Sequence, residues 1–304
     1  MKNNDLIWFE NNIIKRDDAK INVLSPTAQF GLNVFEGIRC YWNDNSKKLY
    51  AFRLDDHIKR LIISSNLLGL ANNFSHEMLI EYLKKTLVKN NYSEDISVRQ
   101  TLYVDGEGSW HSKGPTKLFI APIKKKTNLD KIDKGLSLSI SSFERINDNS
   151  MSPQIKMGAN YINSRYAHLE AQSRGFDSAI LLDRNGFVSE APGSCIFIIK
   201  DGILKTPPIF SSVLRSITRD SIIKFSKKSL NIETIEQSLT RIDLLTADEI
   251  FLCGSAMEIS KVNRIENHKI INTRSESLMQ ILKRKYLEIV RGMDNMYLNW
   301  LTEI

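Results

Sequence analysis

Apolar and polar residues alternate along "NVFEGIRCYW" (33–42) and "KLYAFRL" (48–54), which predicts two strands joined by the polar turn "NDNSKK". The period then lengthens. In "LDDHIKRLIISSNLLGL", Ile58, Leu61, Ile62 and residues 66–68 are expected to form one stripe of a helix, with Asp55 or Asp56 as its N-cap. A second helix is expected over "EMLIEYLKKTLVKNN", and "DISVRQTLYVD" returns to strand. After "LFIAPI", the stretch "KKKTNLDKIDKG" (124–135) follows neither period and reads as a connection between domains. A small α+β domain over 1–123, this linker, and a larger domain over 136–304 are the organisation expected.

The second half opens with the strand pattern "LSLSISSFERI", followed by "SPQIKMGANYINSRYAHLEA" (152–171), in which the lone lysine Lys156 precedes an amphipathic helix. Gly175 is placed to end that helix in the left-handed conformation. Asn185-Gly186 and Asp201-Gly202 mark two hairpins. A helix over 217–230, a strand at "EIFLC" and a C-terminal helix around "SLMQILKRKYLEIV" complete the pattern.

Composition narrows the class. With 304 residues, 42% hydrophobic and 25% charged, the chain is expected to be globular and able to bury a sizeable core. The net charge of +7 raises the question of nucleic acid or membrane partners, but the basic residues are scattered and no aromatic-interleaved stripe accompanies them. Neither partner is expected; attracting acidic small molecules uses the same charge. Three widely spaced cysteines, Cys40, Cys195 and Cys253, make neither a disulfide framework nor a zinc site, so no metal is expected and a reducing compartment is. The start "MKNNDLIWFENNIIKRDDAK" has no long apolar run, and a cytoplasmic location follows as the expectation.

Several residues could carry chemistry. A lysine ahead of a buried helix becomes a nucleophile when its surroundings favour the free amine, although on spacing alone Lys156 reads as an exposed loop lysine. Gly158 and Ala159 are small enough to let a flat ligand approach the backbone. Glu190 closes "GFVSE" ahead of "APGS", where a carboxylate points into a cleft or into solvent. In "SSVLRSITRD", Ser216, Ile217 and Thr218 lie where a helix begins, suited to an anion or to ordinary capping. Gly254, Ser255 and Ala256 offer a similar turn after a strand, and Arg60 is a guanidinium suited to phosphate. Arg39 and Arg99 lie in strands, where a carboxylate partner is expected. Together these are the parts that a pyridoxal phosphate site requires.

The motifs "NVFEGIRCY", "FRLDDHIKRL", "KMGANY", "GFVSEAPG", "SITRD" and "FLCGSAMEI", in this order, resemble those of class IV aminotransferases, the branched-chain amino acid aminotransferase family, over about 29–268. The resemblance implies the α+β fold type IV of the pyridoxal 5′-phosphate enzymes, with a small α+β N-terminal domain, a larger C-terminal domain of strands and helices, a cofactor between them, and a homodimer or higher homo-oligomer. By position, Lys156 would be the Schiff-base lysine and catalytic residue, and Glu190 would face the pyridine nitrogen. Arg60, Ile217, Thr218 and Ser255 would hold the phosphate, with Tyr161 near the phenolic oxygen. Phe35, Arg99, Ser255 and Ala256 would meet the substrate. The family's "YxRP" is "SVRQ" here, so Arg99 stays while Ser97 and Gln100 stand for tyrosine and proline. The implied activity is transfer of the amino group of a branched-chain or similar apolar L-amino acid to 2-oxoglutarate; D-amino acid transamination and aminodeoxychorismate cleavage are the alternatives on the same fold.

Overall fold

The computed structural model describes residues 5–129, 134–272 and 276–304; positions 130–133 of the expected linker lie outside them. In chain order the elements are β1 (Leu6–Phe9), β2 (Asn12–Lys15), α1 (Pro26–Phe30), β3 (Asn33–Asn43), β4 (Lys48–Phe52), α2 (Leu54–Leu67), α3 (His76–Asn90), β5 (Ile96–Val104) and β6 (Thr116–Lys124). There follow β7 (Leu136–Glu144), α4 (Tyr161–Ser173), β8 (Ser178–Leu182), β9 (Cys195–Lys200), β10 (Ile203–Thr206), α5 (Ile217–Leu230) and β11 (Thr234–Glu236). The last are α6 (Arg241–Leu245), β12 (Glu249–Gly254), β13 (Glu258–Ile265), β14 (His268–Lys269), α7 (Leu278–Val290) and β15 (Leu301–Glu303).

The chain forms two compact units whose membership does not follow chain order. The first comprises 1–126, 155–159 and 288–304; the second comprises 127–154 and 160–287. Lys156 therefore packs with the first unit, although β7 and α4 on either side of it belong to the second.

The first unit is built on a seven-stranded sheet in the order β15-β4-β3-β5-β6-β1-β2. Along β3 the alternation sends Val34, Glu36, Ile38 and Cys40 to one face, all fully buried. Against them α2 turns Leu54, His57, Ile58 and Leu61, spaced for one helical face. The helix begins at Leu54, and its N-cap is Arg53 at φ +48, two residues before the nearer expected cap Asp55; Arg53 Nε holds Asp56 at 2.7 Å. The expected stripe also changes course after Leu61. Ser64 and Ser65 are buried while Leu67 is 60% exposed, because Ser64 Oγ accepts the backbone N–H of Lys156 at 3.2 Å and a bulky side chain there would hold that segment off. α3 starts at a Ser75 cap and stops at Asn91 in the left-handed region.

The second unit is a sheet in the order β11-β10-β9-β12-β13-β7-β8, with β14 paired to β13. Its centre reads as continuous apolar runs, "CIFII" and "EIFLC", and both are buried, with Phe197 stacked on Phe251 at 5.1 Å. Asp201 and Gly202 both take positive φ, so the turn from β9 to β10 is the tight one that Asp-Gly predicts. Gly175, at φ +78, ends α4.

Candidate active site

Three backbone contacts fix Lys156 in the first unit. Phe35 N–H donates to Lys156 O at 3.0 Å, Lys156 N–H donates to Ser64 Oγ, and Met157 bridges Val34. This seats the lysine against β3 and α2 and sets Nζ 5.2 Å from the Phe35 ring centre. The same ring has the Arg99 guanidinium 4.0 Å from its centre, on β5. Cross-strand partners share a face, so Phe35, Gly37 and Arg39 stand with Thr101, Arg99 and Ser97 respectively. A Cβ at Gly37 would meet nothing within 4 Å, so open space lies beside Phe35 and Arg99.

The opposite face carries a buried charge cluster. Glu36 accepts from Arg60 Nε at 2.7 Å and Nη2 at 2.8 Å, and pairs with His57 Nδ1 at 2.7 Å. Burial would raise the Glu36 pKa, but the Arg60 and His57 partners outweigh it and hold the carboxyl far below the usual carboxylate range. Burial pushes the His57 pKa below its ordinary 6.5, against the opposing pull of Glu36. The sequence reading groups Arg60 with Ile217, Thr218 and Ser255 on a phosphate and names neither Glu36 nor His57. The available signal was the alternation of β3, which turns Glu36 inward among Val34 and Ile38, where a carboxylate requires a cation.

Three other residues of the sequence reading meet neighbours within this unit. A Cβ at Gly158 would stand 2.8 Å from Asn33 Oδ1, so that glycine admits a side chain of its own unit rather than a ligand. Gln100 is fully buried with Nε2 donating to Leu79 O at 3.0 Å; it ties β5 to α3 and faces away from Arg99. Arg39 is buried, donates to Lys125 O at 2.7 Å and stacks over Tyr41.

In the second unit Glu190 is 3% exposed and joined to Arg145, whose Nη2 lies 2.7 Å and Nε 3.0 Å from Oε1. Its other oxygen accepts Leu214 N–H at 3.3 Å and lies 3.8 Å from Cys195 Sγ. Arg145 was also missed; it follows β7 directly, and only the fold brings it to Glu190. The Leu214 bond carries the chain to α5, where Ser216 caps by accepting Arg219 N–H and Ile217 and Thr218 form the first turn. Thr218 is 2% exposed. A Cβ at Gly254 would lie 3.5 Å from Gly193 O, and one at Gly193 would lie 3.9 Å from Tyr161 Cε1. Tyr161, Glu190, the start of α5 and the Ser255-Ala256 turn are thus neighbours within this unit.

The donor set suits a phosphorylated pyridine. Within the second unit it offers a helix N-terminus and a small-residue turn for an anion and a carboxylate with its own cation for a ring nitrogen; the first unit, by itself, holds a seated lysine amine.

A family model described as "Amino-transferase class IV" matches residues 33–265. The probable branched-chain-amino-acid aminotransferase of Aquifex aeolicus is 36% identical over 307 residues, covering 99% of this chain and 97% of that one. Among solved structures, the branched-chain amino acid aminotransferase of Thermobaculum terrenum in its PLP form superposes with a TM-score of 0.94 at 34% identity, covering 100% of this chain and 99% of the other. The branched-chain aminotransferase of the thermophilic archaeon Thermoproteus uzoniensis, solved with norvaline, gives a TM-score of 0.91 at 34% identity, covering 98% of each chain.

Proposed function

The chain belongs to the class IV aminotransferases, and we propose that it moves the amino group of a branched-chain or similar apolar L-amino acid to 2-oxoglutarate, with pyridoxal 5′-phosphate as cofactor. The observation that carries the reading is the seating of Lys156 by Phe35 N–H and Ser64 Oγ, which holds a single amine beside an aromatic ring and an arginine. The named relatives support it over D-amino acid transamination or aminodeoxychorismate cleavage.

When bound, the cofactor's pyridine ring accepts the electron pair released as the substrate Cα–H bond breaks. Lys156 Nζ carries the proton to and from that carbon as a positioned acid and base. Glu190, braced by Arg145, keeps a proton on the ring nitrogen. Ile217, Thr218 and Ser255 offer N–H and hydroxyl donors to the phosphate, with Arg60 as the guanidinium. Because Glu36 is already ion-paired with Arg60, the pair is formally neutral and more of the phosphate charge falls to the α5 N-terminus. Tyr161 serves the phenolic oxygen. Phe35 walls the apolar side chain, Arg99 receives the side-chain carboxylate of glutamate, and Ser255 with Ala256 receives the α-carboxylate.

A homodimer or higher homo-oligomer belongs to the same reading. Phe143, stacked on Tyr166 at 5.5 Å, joins Ile162 and Leu169 of α4 as exposed apolar residues that a second copy would cover. Among the described residues no helix is long and apolar enough to cross a membrane. The three buried free cysteines suit a reducing compartment, and we assign the cytoplasm.

The test is a half-reaction screen of L- and D-amino acids with the cofactor-loaded protein. L-leucine, L-isoleucine and L-valine are expected to convert the cofactor to its amine form, and 2-oxoglutarate to reverse it. Response to D-amino acids alone, or pyruvate release from aminodeoxychorismate without an acceptor, would overturn the assignment.

A further inference from the structure

The turn from β12 to β13 comprises Ser255, Ala256 and Met257 and closes at Glu258, which pairs with Gly254 across the hairpin. Glu258 has φ +56, in the left-handed region that a side chain other than glycine occupies at a cost. A glycine would fit that backbone more easily, so the carboxylate needs a use. It is 1% exposed, and it meets Thr127 and Asn128, the first residues of the second unit after the chain leaves the first. Thr127 Oγ1 donates to Oε1 and Oε2 at 2.9 and 3.0 Å, and Asn128 N–H donates to Oε2 at 2.8 Å. Thr127 Oγ1 in turn accepts Leu129 N–H at 3.1 Å. Thr127 and Leu129 are both buried.

We propose that Glu258 is a positioning residue that straps Thr127, Asn128 and Leu129 to the Ser255–Met257 turn, so that the connecting chain and the turn for the substrate carboxylate hold their places as one piece. The inference rests on the substrate role assigned to Ser255 and Ala256. Charge-assisted hydrogen bonds in a buried setting are strong and directional, and one carboxylate takes both a hydroxyl and a backbone N–H here. Loosening the strap frees the turn without touching the amine of Lys156. Its signature is weaker substrate binding at nearly unchanged chemical rate.

The experiment uses full-length, cofactor-loaded Thr127→Val, Thr127→Ser, Glu258→Gln and the Thr127→Val/Glu258→Gln double variant. Thr127→Val and Glu258→Gln are expected to raise the KM for L-leucine about tenfold, as the loss of a buried charged hydrogen bond implies, with kcat within about twofold on the same scale. Thr127→Ser keeps the hydroxyl and should keep the wild-type KM. The double variant should raise KM by less than the product of the two single effects, since both substitutions act on the Thr127–Glu258 contact. Amide hydrogen exchange of the Ser255–Met257 peptide is the readout independent of turnover: Thr127→Val should speed it although the substitution lies elsewhere in the chain. Unchanged exchange there, or KM effects that multiply in the double variant, would overturn the strap. Faster exchange in Thr127→Val, together with a wild-type protein that gives no half-reaction with any amino acid, would sustain the strap and overturn the substrate role.

Discussion

At the scale of single residues, the sequence showed which groups have chemistry but not what holds them. Lys156 and Glu190 are singled out by the resemblance of their motifs, since spacing alone leaves Lys156 an exposed loop lysine, whereas Arg145, Glu36 and His57 acquire their partners through pairing between distant segments, which no local period encodes. Two predictions belong here. Glu190→Gln should slow turnover by about a hundredfold or more while leaving phosphate affinity close to wild type. Arg145→Met, which strands the buried Glu190 carboxylate, should destabilise the fold by about 3–5 kcal/mol, read by denaturant unfolding. The Glu36 cluster predicts acid sensitivity. Both Glu36 and His57 have pKa values depressed in the folded protein, so the unfolded chain binds their protons first as pH falls. Their stabilisation is complete above their unfolded values; the His57 share begins to go below 6.5 and the Glu36 share below 4.5. Thermal midpoints followed below pH 4.5 should therefore fall less steeply in Glu36→Gln than in wild type; identical slopes there would remove the cluster from the account.

Elements were the most legible scale. The 2-residue period of β3, the Asp-Gly turn after β9, and the extent of α5 are all readable, because each is set by neighbours in the chain. The stripe on α2 was misread at its C-terminal end for a tertiary reason: Ser64 is buried to meet Lys156 N–H, and Leu67 is left outside. The N-cap was misplaced because Arg53 takes a left-handed backbone that its residue type does not suggest. At the start of α5 the hydroxyl of Ser216 is structural, and Ser216→Ala should cost about 1 kcal/mol of stability. It should also weaken phosphate binding by loosening the first turn, measurable as cofactor affinity for the phosphorylated form relative to pyridoxal. Loss of stability with an unchanged affinity ratio would leave Ser216 as a cap alone.

At the scale of the whole molecule, the compact units cut across chain order in a way that periodicity does not reveal. Residues 155–159 and 288–304 pack with the first unit, the latter through Arg291 on Asp95 and β15 on β4. Asn43 Nδ2 adds a bond to Arg291 O at 2.6 Å. Arg291→Met should therefore lower the stability of the first unit by about 3–5 kcal/mol, seen as loss of amide protection in β3 and β5, although the substitution lies near the far end of the chain.

The central claim is that Lys156 is the amine that holds the cofactor, and chemical trapping tests it most directly. The protein is loaded with pyridoxal 5′-phosphate, reduced with borohydride, digested and mapped by mass spectrometry. The phosphopyridoxyl mass should appear on the peptide containing Lys156, and disappear together with turnover in Lys156→Ala. A label on another lysine in the wild type, or turnover by Lys156→Ala equal to wild type, would contradict it.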